Sequence, residues 1–275
     1  MRFKQAALAT VNGVLRGLLT LASRDTTLDT AERSCLVLAP HPDDEVFGCG
    51  VTILRKRAVG TPVTIAVLTD GRHSGGDLDP ETLAAVRREE FQEVCRRLGV
   101  ADDSVHHFSF EDGHLDEAGE ALTDTLRTLL ASCDPEEVYV TSDADPHSDH
   151  AALGTAAYEV LAGSGTRLLT FPIWQWGFPA SWIASLSKAQ RPERVSTAGY
   201  LEAKRAIIGV YRSQLPPTLG GNMVADGLTV PFVQSFLRAS ELFIPYDTGS
   251  RDARNWWNRA TTLLASSHPA GRASA

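Results

Sequence analysis

Five short runs of apolar and β-branched residues alternate along this chain with longer segments of helical character. The runs predict buried strands at 35–39, 63–68, 106–110, 138–141 and 167–171. The segments between them predict helices at 48–59, 84–98, 120–132 and 149–161. Because strands that alternate with helices form parallel sheets with right-handed crossovers, we expect a Rossmann-like α/β fold with a mostly parallel sheet flanked by helices.

Polar residues cluster directly after four of these predicted strands, at 41–45, 69–76, 111–114 and 143–150. In open parallel sheets, ligands bind outside the carboxyl ends of the strands. The sequence therefore predicts a functional site at this edge of the sheet.

The first cluster, Pro-His-Pro-Asp-Asp-Glu at 40–45, combines one imidazole with three carboxylates. Its two prolines stiffen the turn. Clustered carboxylates repel one another and are costly to desolvate, and a divalent cation is the simplest compensation. The alternative is a solvated acidic turn that caps the next helix.

The second cluster, at 143–150, again follows an apolar strand and ends in imidazoles and carboxylates. Two such clusters at equivalent strand ends can converge on one ion. Together they supply two histidines and a carboxylate, which is the minimum set for a catalytic zinc ion with open positions for water and substrate.

The combination of residues 40–45 with His147-Ser-Asp-His150 resembles the PIG-L/LmbE-like zinc-dependent N-deacetylases. That family includes the deacetylases of N-acetylglucosaminyl-phosphatidylinositol and of the mycothiol and bacillithiol precursors. The resemblance covers roughly residues 34–245, and weaker matches lie at 69–71, 87–90, 112–113, 204–214 and 241–243.

The resemblance implies one Zn²⁺ per chain, held by His41, Asp44 and His150. Asp43 would deprotonate the metal-bound water, whose pKa the ion lowers towards about 7. His147 would stabilise the tetrahedral oxyanion and protonate the leaving amine, and Asp149 would orient or tune His147.

On the substrate side, Arg87 and Asp112 match positions that bind sugar hydroxyls in relatives. Two further substrate contacts are predicted. His73 lies on a glycine-rich loop at the functional edge, and Tyr211 occupies the place of a frequent histidine in the family. Val51 also departs from the family pattern, which often has glycine there.

The implied reaction is hydrolysis of an N-acetyl or other N-acyl group on an amino sugar or glycoconjugate. A non-haem iron oxygenase is an alternative, because His147, Asp149 and another histidine imitate its metal triad. A non-catalytic sugar-binding module with a residual metal site is a second alternative. Trp174, Trp176 and Trp182 form either core packing or a stacking wall for substrate.

We expect three segments: an N-terminal amphipathic helix and linker (1–33), a catalytic domain (34–245), and a C-terminal helix and flexible tail (246–275). The net charge of −8 disfavours nucleic-acid binding. Four scattered cysteines favour a reducing, cytoplasmic environment. Both ends are rich in basic residues, so each helix either docks on the domain or makes peripheral contact with an anionic membrane; a cleaved secretory signal is a third interpretation of the first helix.

Overall fold

The computed structural model describes residues 2–74, 78–222 and 228–249. Within these ranges one sheet contains eight strands: β1 (Arg24–Asp25), β2 (Cys35–Ala39), β3 (Val63–Thr69), β4 (Val105–Phe110), β5 (Glu137–Thr141), β6 (Arg167–Phe171), β7 (Glu193–Ser196) and β8 (Ser240–Tyr246). Their spatial order is β1-β7-β8-β6-β5-β2-β3-β4.

The five predicted strands are β2 to β6, and they pair in parallel as the contiguous part β6-β5-β2-β3-β4. The predicted mostly parallel α/β fold is therefore confirmed. Strand β8 was not predicted, and it lies antiparallel between β6 and β7. It extends the sheet beyond the parallel core.

Eight helices surround this sheet in the described ranges: α1 (Arg2–Ala22), α2 (Asp44–Ala58), α3 (Pro80–Leu98), α4 (Gly119–Cys133), α5 (Ser148–Leu161), α6 (Ser181–Lys188), α7 (Leu201–Ile208) and α8 (Val230–Ser235). Successive residues of β2 alternate between two hydrophobic clusters: Val37 belongs to one, and Leu36 and Leu38 belong to the other. Because both sheet faces are covered, the central strands are apolar throughout. They therefore appear in the sequence as continuous runs of apolar residues.

Two helices begin earlier than their apolar periodicity predicts. Helix α3 begins at Pro80, behind Asp79, whose side chain accepts the Thr82 backbone N–H, and it ends at Gly99 in the left-handed conformation, as predicted. Helix α2 begins at Asp44, four residues before the predicted start. The acidic residues of the first cluster therefore lie on its first turn.

The segment before β2 is joined to the sheet. Strand β1 pairs with β7. The fully buried Lys56 ammonium donates hydrogen bonds to the backbone carbonyls of Thr30 and Arg33 and to the Glu137 carboxylate. The predicted boundary between residues 33 and 34 therefore falls inside a hydrogen-bonded unit.

Helix α1 packs on the domain through a narrower face than its sequence predicts. Leu19 is buried and Leu15 packs beside it, whereas Val11 and Leu18, which belong to the predicted apolar face, are exposed. The Arg16 guanidinium lies 4.0 Å from the centre of the Trp176 ring, and burial, reinforced by the charge of Arg238, lowers the pKa of Arg16 to about 10.

The outer face of α1 carries an exposed stripe of Val11, Val14, Leu18 and Leu21. Peripheral membrane contact stays a prediction for this helix. Among the residues described, no helix combines the length and the apolar character needed to cross a bilayer. The predicted C-terminal helix, with Trp256 and Trp257, lies outside the described residues.

Candidate active site

A cavity of about 270 Å³ opens at the carboxyl ends of the central parallel strands. One part of its wall is polar and the other is apolar. The polar residues are His41, Asp43, Asp44, His73, Ser74, Arg87, Asp112, His147, His150 and Gln214, and the apolar ones include Phe47, Ile173, Trp174, Leu228 and Phe232. The two acidic clusters of the sequence thus meet in one cavity.

His41, Asp44 and His150 bring three potential ligand atoms together at the base of this cavity. His41 Nδ1 lies 3.3 Å from Asp44 Oδ2, His150 Nε2 lies 3.2 Å from the same oxygen, and the two ring nitrogens are 3.2 Å apart. Ligand atoms about 2.0–2.1 Å from a tetrahedral zinc ion are separated by about 3.3–3.4 Å. This nearly equilateral triangle therefore fits a metal ion of that size.

The other nitrogen of His41 faces two carboxylates. Its Nε2 lies 3.0 Å from Asp149 Oδ2 and 3.2 Å from Asp112 Oδ1. Carboxylates in this position accept a hydrogen bond from the Nε2–H group, which leaves the lone pair of Nδ1 free to bind a metal. Burial opposes the charged ring, but the hydrogen bonds to Asp112, Asp149 and Asp44 raise the pKa of His41 well above its usual value.

The structure corrects one part of the predicted role of Asp149, the orientation of His147 by its carboxylate. Its carboxylate accepts the backbone N–H groups of Gly113 and Leu115, at 2.8 and 3.0 Å, in addition to contacting His41. The hydrogen bond to His147 comes from the backbone, since the Asp149 N–H donates to His147 Nδ1 over 3.3 Å, while the charge of the nearby carboxylate opposes the fall in the pKa of His147. The carboxylate thus orients His41, and the helix backbone orients His147.

Asp43 occupies a backbone conformation that is unusual for a residue with a side chain. Its φ is 126° and its ψ is −29°, and its side chain makes no capping hydrogen bond to α2. This geometry disfavours the alternative in which the acidic turn merely caps a helix. A backbone of this kind costs on the order of 1–3 kcal/mol and persists where surrounding contacts hold it.

The Asp43 carboxylate lines the cavity beside the metal-binding triangle. Burial raises its pKa well above the usual range; the charge of Arg87 opposes that rise, and the neighbouring carboxylates of Asp44 and Glu45 add to it. Arg87 Nη2 lies 3.4 Å from Asp43 Oδ2 and donates to the Pro42 carbonyl at 2.6 Å.

His147 lines the same cavity and lies at the N-terminus of α5. Its ring centre is 4.9 Å from that of His41 and 4.8 Å from that of His150. Since Nδ1 accepts a backbone N–H, the neutral ring carries its proton on Nε2. Burial, with the charges of His41 and His150, lowers the pKa of His147 to about 4.

The predicted substrate contacts divide into two groups. Arg87, Asp112 and His73 all line the cavity. Arg87 reaches it because Gly71 has a positive φ of 66° and lacks a Cβ, which would lie 2.3 Å from the guanidinium. The Asp112 carboxylate accepts the His73 backbone N–H at 2.7 Å, and its hydrogen bond to His41 lowers its pKa despite burial.

Tyr211 does not contact the cavity, which corrects its predicted role in substrate binding. Its side chain is fully buried, and its hydroxyl donates a short hydrogen bond to Glu45 Oε1. The sequence correctly predicted that Tyr211 lies near the site. It did not show that the side chain is buried behind the cavity instead of facing it.

Residue patterns alone missed most of the apolar wall. The ring centres of Trp174 and Phe232 are 4.6 Å apart, and Phe232 also packs against Phe47. Of the three tryptophans considered in the sequence, Trp174 lies on this wall. Trp182 is buried in the core instead, where its Nε1–H donates to the Gln175 carbonyl. No local signal marked Phe232.

A second group, His41, His147 and Asp149, also brings potential metal ligands within reach of one another. It corresponds to the triad of the oxygenase alternative. However, each Asp149 oxygen already accepts a backbone N–H, so the carboxylate is less available to a metal than that of Asp44. The first triangle therefore fits an ion better.

Fold and site together define an α/β protein with a His–Asp–His group that could hold a metal ion at the strand ends. The profile of the family described as "PIG-L: GlcNAc-PI de-N-acetylase" matches residues 36–161. The chain is 31% identical over 174 residues to "Uncharacterized deacetylase YaiS" of Escherichia coli (strain K12), covering 58% of this chain and 85% of that protein. The chain belongs to the PIG-L family.

Two further proteins show how far this similarity extends. The chain is 30% identical over 138 residues to "Probable N-acetyl-alpha-D-glucosaminyl L-malate deacetylase 2" of Bacillus cereus, covering 48% of this chain and 62% of that protein. The N,N'-diacetylchitobiose deacetylase structure from Pyrococcus horikoshii superposes with a TM-score of 0.61 and 24% identity over 86% of this chain and 91% of that one. The latter similarity supports the fold.

Proposed function

We propose that this protein is a zinc-dependent hydrolase that removes an N-acetyl or other N-acyl group from an amino sugar or glycoconjugate. The observation that carries the proposal is the triangle of His41 Nδ1, Asp44 Oδ2 and His150 Nε2, with the Asp43 carboxylate beside it in one cavity. We propose residues 34–245 as the catalytic part of the chain.

His41, Asp44 and His150 would hold the zinc ion. A zinc ion bound there supplies Lewis-acid activation of a water molecule and of an amide carbonyl. Two carboxylates line the cavity without belonging to the ligand triangle, those of Asp43 and Asp112. Asp112 Oδ1 lies 3.2 Å from His41 Nε2, so Asp43 is the one better suited to act as a general base. Since a nearby cation favours the ionised form, it would offset the effect of burial on the Asp43 pKa.

As Asp43 takes a proton from the attacking water, a carbon–oxygen bond forms at the amide carbon and the carbonyl oxygen becomes an oxyanion. The Nε2–H group of His147 can donate a hydrogen bond to that oxyanion. The carbon–nitrogen bond then breaks, and the departing nitrogen takes a proton from an acid, a role in which Asp43 returns the proton it accepted. The products are a carboxylic acid and an amine.

An amino sugar suits the divided wall of the cavity. The polar part offers the Asp112 carboxylate and the Arg87 guanidinium as hydrogen-bonding partners for hydroxyl groups. The apolar part offers the Trp174 and Phe232 rings as a flat surface for a sugar ring or an acyl chain. The Bacillus cereus relative is named as a deacetylase of an N-acetylglucosaminyl compound, which supports this substrate class.

The proposal is tested by incubating the zinc-loaded protein with N-acetylglucosamine conjugates and following loss of acetyl by mass spectrometry. Asp43→Asn keeps its zinc and loses about 10²–10⁴-fold in turnover, as expected for a general base. Near wild-type turnover by Asp43→Asn would refute this assignment. Product formation that requires dioxygen and iron would instead favour the oxygenase, and sugar binding without product would favour the binding module.

A further inference from the structure

Glu45 is a fully buried carboxylate directly behind the proposed site, and the roles proposed for the cavity residues leave it unexplained. It does not line the cavity. Its Oε2 accepts the Asp43 backbone N–H at 2.9 Å, and its Oε1 accepts the Tyr211 hydroxyl. The chain of contacts therefore runs from Tyr211 through Glu45 to the backbone of Asp43.

The peptide group between Pro42 and Asp43 is held at both ends. Its carbonyl oxygen, on Pro42, accepts Arg87 Nη2 at 2.6 Å, and its N–H donates to Glu45. The next peptide is held as well, since the Asp43 carbonyl accepts the N–H groups of Val46 and Phe47 at 3.2 and 3.1 Å.

Fixing both peptides that flank Asp43 fixes its φ and ψ, and hence the direction of its Cα–Cβ bond. The φ of 126° is one that a residue with a side chain rarely adopts. Without these contacts the backbone would relax, and the carboxylate would move away from its position in the cavity.

Tyr211 determines how the Glu45 carboxylate is turned. Rotation about the last side-chain bond of glutamate has no sharp preference, so a carboxylate needs a partner on one oxygen to direct the other. The Tyr211 side chain is fully buried, and its own backbone is held by hydrogen bonds to Ile208 and Gln214.

We propose that Tyr211 is a positioning residue for Asp43, acting through Glu45. This inference rests on the proposed function, in which Asp43 is the general base. The positioning role also gives a function to a tyrosine that is buried two residues before Ser213 and does not line the cavity.

The first test is Tyr211→Phe, which removes the hydroxyl and keeps the ring. We expect kcat to fall about tenfold to a hundredfold, with KM and bound zinc unchanged, because a small displacement of a catalytic group costs this much. Tyr139→Phe is the matched control: Tyr139 is also fully buried and donates to a buried glutamate, Glu137, but Glu137 is hydrogen-bonded to Thr30, Lys56 and Arg167 and not to a residue that lines the cavity. Tyr139→Phe is expected to lose comparable thermal stability and keep kcat.

Two further variants separate positioning from general stability. Tyr211→His retains a donor and is expected to recover part of kcat. Tyr211→Phe combined with Glu45→Gln is expected to be no slower than the slower single variant, because both changes break the same chain of contacts. Additive losses in kcat would overturn the inference.

Failure of the inference is distinguishable from failure of the proposed function. If Asp43→Asn is inactive and Tyr211→Phe turns over at the wild-type rate, the positioning role alone is refuted. If no substrate is turned over at all, crystal structures of the wild type and Tyr211→Phe decide the matter. A changed Asp43 φ in the variant supports the inference, and a φ that stays near 126° refutes it.

Discussion

Replacing Asp149 with asparagine tests which histidine this buried carboxylate serves. The fully buried side chain contacts His41 Nε2 and accepts the N–H groups of Gly113 and Leu115. Asparagine has one carbonyl oxygen, so its NH₂ group must face at least one of these donors. The substitution thus removes the negative charge of the group that faces His41 Nε2, a proposed zinc ligand's second nitrogen, with almost no change in volume.

The expected loss follows from these contacts. Removing the partner of a metal-binding histidine lowers metal affinity about 10–100-fold, or about 1.4–2.7 kcal/mol. A buried N–H left without an acceptor costs about 1–3 kcal/mol of folding free energy in addition. We therefore expect Asp149→Asn to bind zinc more weakly and to unfold at a lower temperature.

Zinc affinity is measured by competition with a chromophoric chelator, using protein freed of metal by dialysis against a stronger one. Glu90→Gln is the control, because the Glu90 carboxylate also accepts a backbone N–H, from Ser213, but contacts none of the three proposed ligands. If Asp149→Asn bound zinc like the wild type and lost only turnover, the carboxylate would act through His147, and the proposed orientation of His41 would be wrong.

Three other outcomes follow from the structure. His150→Ala removes one corner of the ligand triangle, so we expect loss of bound zinc, measured by elemental analysis, with the circular dichroism spectrum retained. Gly71→Ala places a Cβ against the Arg87 guanidinium at a positive φ, so kcat and thermal stability should both fall; wild-type values would show that Arg87 can move freely. Lys56→Met leaves the buried Glu137 carboxylate with the Arg33 and Arg167 guanidinium groups but without its buried ammonium partner, and we expect a loss of about 1.5–3 kcal/mol near pH 7 in denaturant unfolding. Burial opposes ionisation of Glu137, but Lys56 and its other hydrogen-bond donors lower its pKa, so the stabilisation is present above the unfolded pKa of about 4.3 and is lost as the pH falls through the folded value. The difference between wild type and Lys56→Met should therefore shrink in acid, and a difference independent of pH would contradict this explanation.

Local patterns were enough for the parallel part of the fold. Strands β2 to β6 are short apolar runs because both sheet faces are covered, and this burial is visible in the sequence without knowledge of the partners. The same logic placed the acidic clusters at the strand ends, since a hydrophobic run that stops at charged residues marks the edge of the core.

Long-range pairing decided the rest of the sheet. Strand β8 joins β6 and β7 through residues such as Leu242, which lies opposite Arg194, and Pro245, which lies opposite Leu169. A strand between antiparallel neighbours needs partners far away in sequence, and its own seven residues carry no signal for which strands those are. The Phe232 side of the cavity wall was missed for the same reason.

Residue types and their positions after buried strands were sufficient to predict which side chains a metal site here would use, because clustered carboxylates next to a hydrophobic core need a compensating charge. The individual roles of these side chains depend on how the folded chain arranges them. Asp149 is two residues from His147 and 108 from His41, yet its carboxylate contacts His41, because α5 turns that side chain towards the end of β2. Tyr211 likewise lies behind the cavity and not in it, since packing after α7 directs its hydroxyl to Glu45. Spacing along a chain limits which groups can meet, but the direction of each side chain depends on the elements packed around it.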